Sequence, residues 1–398
     1  MNGKEVDAKF DEIYKSKIAP KLSNLENYRI QEKKKYDFLI MILFASVICL
    51  LLLIFLGYKG ILPSNVSVIG LVLLFILPII IIFLSKKIKE DFRKKLKLTL
   101  LPYLFSVFGN FSILDKEALS LKEIKALGLY PRATRKKDDD IISGIYKNMP
   151  VTLIETQLYH QENNKNKDSN NIKNVKDFSG LILKIKLNKT FKGILVAEQK
   201  MRIDNFINMI KAFSKKEPEL CPPHVIQFLD NPLFKTISQA QNFMYENKLY
   251  LQNGKLNLDV FDLHTKNRVT RRLEKIFLED REFNENYNIY SDDQVEARYI
   301  LTPTFMEKIK NIQMIMLMLS LDFVCKDEYL YFFLGNCIVF SMPDSTQQDS
   351  PSGNDGFFEM GNINNSLLNK ELYRKTFKEL VAIFSLINYF KLDQKIGL

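Results

Sequence analysis

FLIMILFASVICLLLLIFLGY, residues 38–58, runs for about 21 residues without one charged side chain, and at ~1.5 Å rise per residue it would span roughly 30 Å, a bilayer's hydrocarbon core. A second run, VSVIGLVLLFILPIIIIFL over residues 66–84, is about 19 residues long and equally free of charge. A helix buried in a soluble core rarely stays apolar on every face for this long. The two runs therefore predict two transmembrane helices, Phe38–Tyr58 and Val66–Leu84. Gly70 and Pro78 are tolerable in a membrane helix, and Pro78 predicts a modest kink. The linker Gly57–Asn65 is short and rich in Gly, Pro and Asn, so the helices are expected as an antiparallel hairpin over 38–84. A cleavable signal peptide fits poorly: a long polar stretch precedes the first run, and GYKGILPSN after it lacks a small-x-small cleavage site.

The flanks set the expected orientation. Arg29, Lys33, Lys34 and Lys35 precede the first run, and Lys86, Lys87, Lys89, Arg93, Lys94, Lys95 and Lys97 follow the second. Only Lys59 lies between them. The positive-inside rule then puts both termini of a multi-pass protein in the cytoplasm, with the connecting loop on the far side. Lys33, Lys34, Lys35, Lys86, Lys87, Arg93, Lys94 and Lys95 form a basic collar that attracts anionic lipid headgroups, at about 1 kcal/mol per well-placed side chain. Neither run carries the intramembrane charges that mark ion or proton pathways, so the hairpin reads as an anchor.

Composition adds limits. The chain has 398 residues, a net charge of +11 and no Trp, with Phe, Tyr, Ile, Lys and Asn plentiful. A basic balance normally points to anionic partners. Here much of it sits beside the apolar runs, so no nucleic-acid partner is expected. Cys49, Cys221, Cys325 and Cys337 show no zinc or redox spacing; Cys325 and Cys337 would face each other across the hairpin expected there, but two lone thiols read as packed core residues rather than a redox pair.

The remainder reads as α+β: antiparallel hairpins with interspersed helices in one cytoplasmic domain, 105–398. Residues 1–37 hold an amphipathic helix, with Phe10, Ile13, Tyr14, Ile18, Leu22 and Leu25 at helical spacing and a break near Pro20. A helical stalk over 85–104 leaves the second run and ends at Pro102. Asp115 is the expected N-cap of a helix that Gly128 terminates. IISGIYKNMPVTLIETQLY reads as two strands around a Lys147–Pro150 turn, and His160–Asn174 as a loop. Phe178–Leu187 and Phe191–Glu198 read as a strand pair, Met201–Lys215 as a helix, Asn253–Gly254 as a hairpin turn and Leu273–Glu279 as a strand. Thr302 and Pro303 open a Met-rich helix over Phe305–Leu319. Leu321–Cys325 and Tyr329–Phe340 read as a hairpin around Lys326–Glu328, and Leu372–Phe390 as a final amphipathic helix.

Several segments together resemble a known group: Ile142-Ser143-Gly144-x-Tyr146, Phe178-Ser179-Gly180-Leu181, Asn188-Lys189-x-Phe191-Lys192-Gly193, Ser291 through Pro303 (SDDQVEARYILTP), and Phe358-Glu359. The chain is similar to the bacterial membrane protein family of unknown function named DUF3137. The resemblance implies membrane topology and a bacterial origin, and it lends no activity. Residues 201–272 are longer than the family pattern leads one to expect and read as an insertion.

Candidate chemistry is sparse. Asp292, Asp293 and Glu296 are the expected metal ligands, since Mg²⁺ and Ca²⁺ take carboxylate oxygens. The competing reading makes Asp292 and Asp293 a turn, with Glu296 and Arg298 an outward ion pair along one strand, and the spacing matches no EF-hand loop. His160, His224 and His264 lie far apart in unlike loops, and no G-x-S-x-G elbow is present. There is no phosphate-binding glycine motif either, so no cofactor is expected. Gly180 and Gly193 suit bulges or close backbone packing. The pairs Lys136–Lys137 and Arg271–Arg272 read as solvated faces. The expectation is a membrane-anchored binding module that meets the bilayer and a protein partner or a second copy of itself. The competing function is a membrane-tethered metal-dependent enzyme using the Asp292/Asp293/Glu296 region. A third is an oligomer whose hairpins line a pore.

Overall fold

The computed structural model describes residues 3–59, 64–163, 172–200, 211, 215, 251–252, 255–261, 268–316, 318–337 and 358–390. It is α+β, with long N-terminal helices and a large antiparallel sheet. Two compact units emerge: Met1–Val107 with Phe358–Leu380, and Phe108–Phe357 with Val381–Leu398.

In the first unit, α1 (Gly3–Ile13) passes through a π-helical turn, Tyr14–Ile18, into α2 (Ala19–Tyr58). Pro20 does not break the helix. It sits in the first turn of α2, where its missing N–H is not needed, and the wider π turn before it absorbs the steric mismatch. The expected stripe is buried: Val6, Phe10, Ile13, Ile18, Leu22 and Leu25. α3 (Ser64–Phe105) holds Pro78 and Pro102 inside it and ends after Pro102, where Ser106 N–H donates to the Pro102 carbonyl at 3.0 Å. The helix Lys370–Tyr389 starts in this unit, burying Tyr373, Phe377 and Leu380. Each fully buried aromatic of this kind is worth ~1.5–3 kcal/mol. Side-chain contacts tie α2 to α3, among them Lys21 over the Tyr103 ring at 5.4 Å, Lys95 over Tyr28 at 3.5 Å, Lys89 over Tyr36 at 4.4 Å and the Tyr28 ring stacked on Phe92 at 6.0 Å.

Among the described residues, one helix, Glu5–Gly57, is long and apolar enough to cross a membrane, and almost none of its most apolar window is buried. Phe38, Met41, Phe44, Ile48, Leu51 and Phe55 are all more than half exposed.

The second unit is built on the sheet β1–β9: β1 (Asn110–Ile113), β2 (Arg135–Tyr146), β3 (Met149–Asn163), β4 (Ile172–Gln199), β5 (Leu251–Gln252), β6 (Lys255–Phe261), β7 (Arg268–Lys275), β8 (Tyr287–Ser291) and β9 (Met318–Cys337). Strand order is β1-β2-β3-β4-β8-β7-β6-β5, with β9 on the other edge of β4. The β2–β3 turn is tighter than the expected Lys147–Pro150: Met149 and Pro150 already pair within β3, and Lys147 and Asn148 have φ of 47° and 67°, the primed-turn geometry that suits the twist of a hairpin. α4 (Leu121–Ala126) starts later than Asp115, because Ser120 and Glu123 form a capping box, and Gly128 at φ 87° follows its end. Residues 281–300 carry α5 (Arg281–Asn286) and α6 (Gln294–Ile300) around β8, and α7 (Pro303–Met316) opens at Thr302, whose hydroxyl accepts from Phe305 N–H at 3.2 Å.

Two expected hairpins are single long strands. β4 runs straight through Asn188–Thr190, and β9 straight through Lys326–Glu328. The two strands pair with each other from Gly180↔Gly335 to Ala197↔Phe323, with register shifts between Lys186 and Phe191 and between Phe191 and Ile194. The polar residues that read as turns are irregularities in this ladder, and Asp327 at φ 54° takes one of them up. Cys325 and Cys337 therefore lie along one strand and not across a hairpin; Cys325 is buried, which pushes its thiol up to about 12. Strand structure also reaches into His160–Asn174, since β3 extends to Asn163 and β4 resumes at Ile172. β7 ends at Lys275, short of Glu279. The core packs Leu119, Ile124, Tyr130, Ile154, Phe178, Ile182, Val196, Val324 and Phe333 together. The Met201–Lys215 helix (bar residues 211 and 215), Asn253–Gly254, Cys221, His224 and His264 fall outside the described residues, as does most of the 201–272 insertion.

Candidate functional site

The middle of β4 changes neighbours. β3 flanks it as far as Ile185, opposite Val151, and β8 takes over only at Leu195, opposite Ser291. Between these points no strand among the described residues partners that edge, and its amides take other acceptors. The residues after β8 supply them. The Asp292 carboxylate accepts from Ile194 N–H at 2.6 Å, and the Glu296 carboxylate from Lys192 N–H at 2.8 Å. Lys192 and Ile194 are two apart, so their amides point to the same edge. Asp293 caps α6, accepting from Glu296 N–H at 2.9 Å, and thereby fixes Glu296 over β4. Arg271, on β7, completes the brace with one bond to the other Asp292 oxygen at 2.7 Å and one to the Lys192 carbonyl at 3.1 Å.

Gly193 explains why two separate motifs go together. A Cβ there would lie 2.7 Å from Asp292 Oδ1 and 3.0 Å from Asp293 Cβ. The Phe191-Lys192-Gly193 segment and the Asp292-Asp293 segment thus press directly on one another, and only glycine leaves room. The structure brings Asp292, Asp293 and Glu296 to one place, each with a backbone amide on its carboxylate. Arg298 is not their ion-pair partner. Residues 294–300 are helix and not strand, so Arg298 turns to Glu279 at 2.8 Å and to the Phe277 carbonyl. The expected solvated basic pairs are also revised, since Arg271 serves the brace and Lys136 bonds Glu117 at 2.7 Å and Asp138 at 2.8 Å.

Among the described residues, a different carboxylate group has ligand oxygens all within 4.8 Å of one another: Asp139, Asp140 and Glu155. It forms because the β2–β3 register shifts between Asp138, opposite Thr156, and Ile141, opposite Ile154, leaving two aspartates facing one glutamate. Oxygen donors of this kind suit a hard divalent cation. The Asp138-Asp139-Asp140 run was visible in the sequence, but its pairing with Glu155 depends on a bulge that no local signal announces.

His160 is on β3 and not in a loop. Its Nδ1 is 2.6 Å from Asp177 and its Nε2 3.1 Å from Glu162. Partial burial pulls its pKa down, but the bonds to Glu162 and Asp177 outweigh that, and the net direction is up. Burial pushes the Asp177 carboxyl up as well. With carboxylates at both ring nitrogens, the arrangement reads as an imidazolium link.

Of the basic collar, Lys34, Lys35, Lys86, Lys87, Lys94 and Lys95 are exposed, and Lys33 and Arg93 half-buried. Lys35 pairs with Glu32 at 2.7 Å, Arg93 with Glu359, and Lys95 stacks on Tyr28.

The sequence family described as "Protein of unknown function (DUF3137)" matches residues 176–392, more than half of the chain. The match covers the register shifts of β4 between Lys186 and Ile194, the Asp292 brace and the Phe358-Glu359 segment. No curated protein and no solved structure matches. The chain belongs to the DUF3137 family.

Proposed function

We propose, for this member of the DUF3137 family, that α2 and α3 anchor the chain in a bacterial inner membrane as an antiparallel hairpin with both termini cytoplasmic. The sheet unit then serves as a binding module at that membrane for a protein partner or a second copy of the chain. The observation that carries the reading is the band of exposed apolar side chains, Phe38 to Phe55 on α2 and Ile76 to Leu84 on α3. Such a band is an aggregation liability in water and an ordinary surface in lipid. The contacts between the helices support it. Stepping toward the apolar end, Lys21, Tyr28 and Tyr36 meet Tyr103, Lys95 and Lys89 in turn. Both helices advance at nearly the same pace in opposite directions, as the helices of an antiparallel hairpin do. Lys33, Lys34, Lys86 and Lys87 would then sit at the headgroups of the cytoplasmic leaflet.

Cysteine accessibility tests this. Lys59→Cys in a Cys49→Ser background should react with a membrane-impermeant maleimide in intact cells, whereas Lys34→Cys should react only in inverted vesicles. Equal labelling of both from one side, or a chain that stays soluble without detergent, would overturn the proposal.

A further inference from the structure

One buried acid has no part in the foregoing. Glu379, on the helix Lys370–Tyr389, is 2 % exposed. One oxygen of its carboxyl group accepts from Phe358 N–H at 3.1 Å. Phe358 opens a strap, Phe358–Met360, fastened at several other points. The Phe358 ring is fully buried and lies 6.1 Å from the Phe105 ring of α3. Glu359 pairs with Arg93 and, at 3.2 Å, with Lys97, both on α3. The Glu359 carbonyl accepts from the Thr376 hydroxyl at 3.1 Å, and Met360 is buried. Phe358 itself has φ of 62°, a left-handed conformation that a bulky residue adopts only when its surroundings impose it. The strap is thus strained at its first residue and held there by the Glu379 bond and the fastenings on either side.

We propose that Glu379 makes this strap a proton-sensitive latch: the protonated carboxyl holds Phe358–Met360 against α3, and loss of the proton releases it. The charged groups facing Glu379 are Lys97 from α3, Glu359 from the strap and Lys375 from its own helix. Burial dominates. Although the Phe358 amide and the two lysines favour the charged form, burial and Glu359 push the carboxyl up to about 7 from an ordinary 4.5. Because the Phe358 amide touches the carboxyl, moving the strap away admits water, and the group returns toward its ordinary value. Strap opening is then linked to deprotonation. With the two values about 7 and 4.5, the opening constant should rise ~10-fold between pH 6 and pH 8. The inference holds whether or not α3 crosses a bilayer.

The test is hydrogen exchange at the Phe358, Glu359 and Met360 amides of the full chain in detergent, with each rate divided by its intrinsic rate at that pH. In the wild type, protection should fall ~10-fold from pH 6 to pH 8. Glu379→Gln keeps an acceptor for Phe358 N–H without the titration, so its protection should be flat across this range. Thr376→Val removes another fastening and should lower protection at both pH values while keeping the ~10-fold ratio. Flat protection in the wild type would overturn the latch, as would an undiminished pH ratio in Glu379→Gln. Should Glu379→Gln not fold, the wild-type and Thr376→Val ratios decide the matter alone, and a Thr376→Val ratio different from wild type would count against the proposal.

Discussion

If Asp292 is a brace for β4, removing it costs stability with no metal present. Asp292→Ala deletes a charge-assisted bond from Arg271 at 2.7 Å and a bond from the Ile194 amide at 2.6 Å. Ile194 is buried, so its N–H is left without an acceptor in a place water reaches poorly. A bond to a charged group contributes about 1.5–3 kcal/mol, and orphaning a buried donor costs about 1–3 kcal/mol. The Asp292 side chain keeps 18 % exposure and Arg271 28 %, so the lower half of each range applies, roughly 3 kcal/mol together. For a unit of this size that is a fall of roughly 6–12 °C in Tm. Asp292→Asn keeps an oxygen for the Ile194 amide but turns an uncharged group to Arg271, so about half the loss is expected. The assay is thermal unfolding of the full chain in detergent, once with EDTA and once with millimolar Mg²⁺. The brace requires the same loss in both buffers. A loss seen only with Mg²⁺, or an Asp292→Ala melt within a degree of wild type in EDTA, would refute the reasoning and favour a metal-ligand role.

Three further outcomes follow from the same physics. Gly193→Ala should destabilise at least as much as Asp292→Asn, because its Cβ meets Asp292 and Asp293, and the double variant Gly193→Ala/Asp292→Ala should lose less than the sum of the two; full additivity in melting would sink the contact. The His160 link has a folded pKa above its unfolded one. Its contribution is therefore complete below about pH 6.5 and fades as pH rises through the raised value; His160→Gln should remove that part of the pH dependence of Tm, and an unchanged profile would count against the link. In the first unit Arg29 is buried, gripping Glu26 with two bonds at 2.8 and 3.0 Å and the Ile363 carbonyl at 2.8 Å. Arg29→Met leaves Glu26 without its main partner and should cost about 3–5 kcal/mol, with Glu26→Gln/Arg29→Met recovering part of it in a denaturant titration.

What the sequence made legible was what local pattern controls. Apolar length located the long helices, the Thr302–Pro303 pair opened α7, Gly128 followed the end of α4, and Lys147-Asn148 made the β2–β3 turn. The misses share a cause. Asn188–Thr190 and Lys326–Glu328 have turn composition, and each would end a strand that stood alone. They do not stand alone: β4 and β9 carry each other across both stretches, and the irregularities fall where their register slips. A slip belongs to the pair, so neither strand announces it.

The same logic governs the site. Asp292, Asp293 and Glu296 were conspicuous as a cluster of carboxylates, and their type alone suggested a cation. Their bonds in the fold are visible only from the other chain segment, where β4 has lost β3, has not yet gained β8, and presents the Lys192 and Ile194 amides to the residues that follow β8. Gly193 between those amides is the residue that lets the carboxylates approach. In this chain FKG and DDQVE are therefore two halves of one contact, each unreadable without the other. A substitution in one half should be relieved only by a change in its counterpart. Asp292→Ala makes room opposite residue 193, so Gly193→Ala in that background should cost less than it does alone.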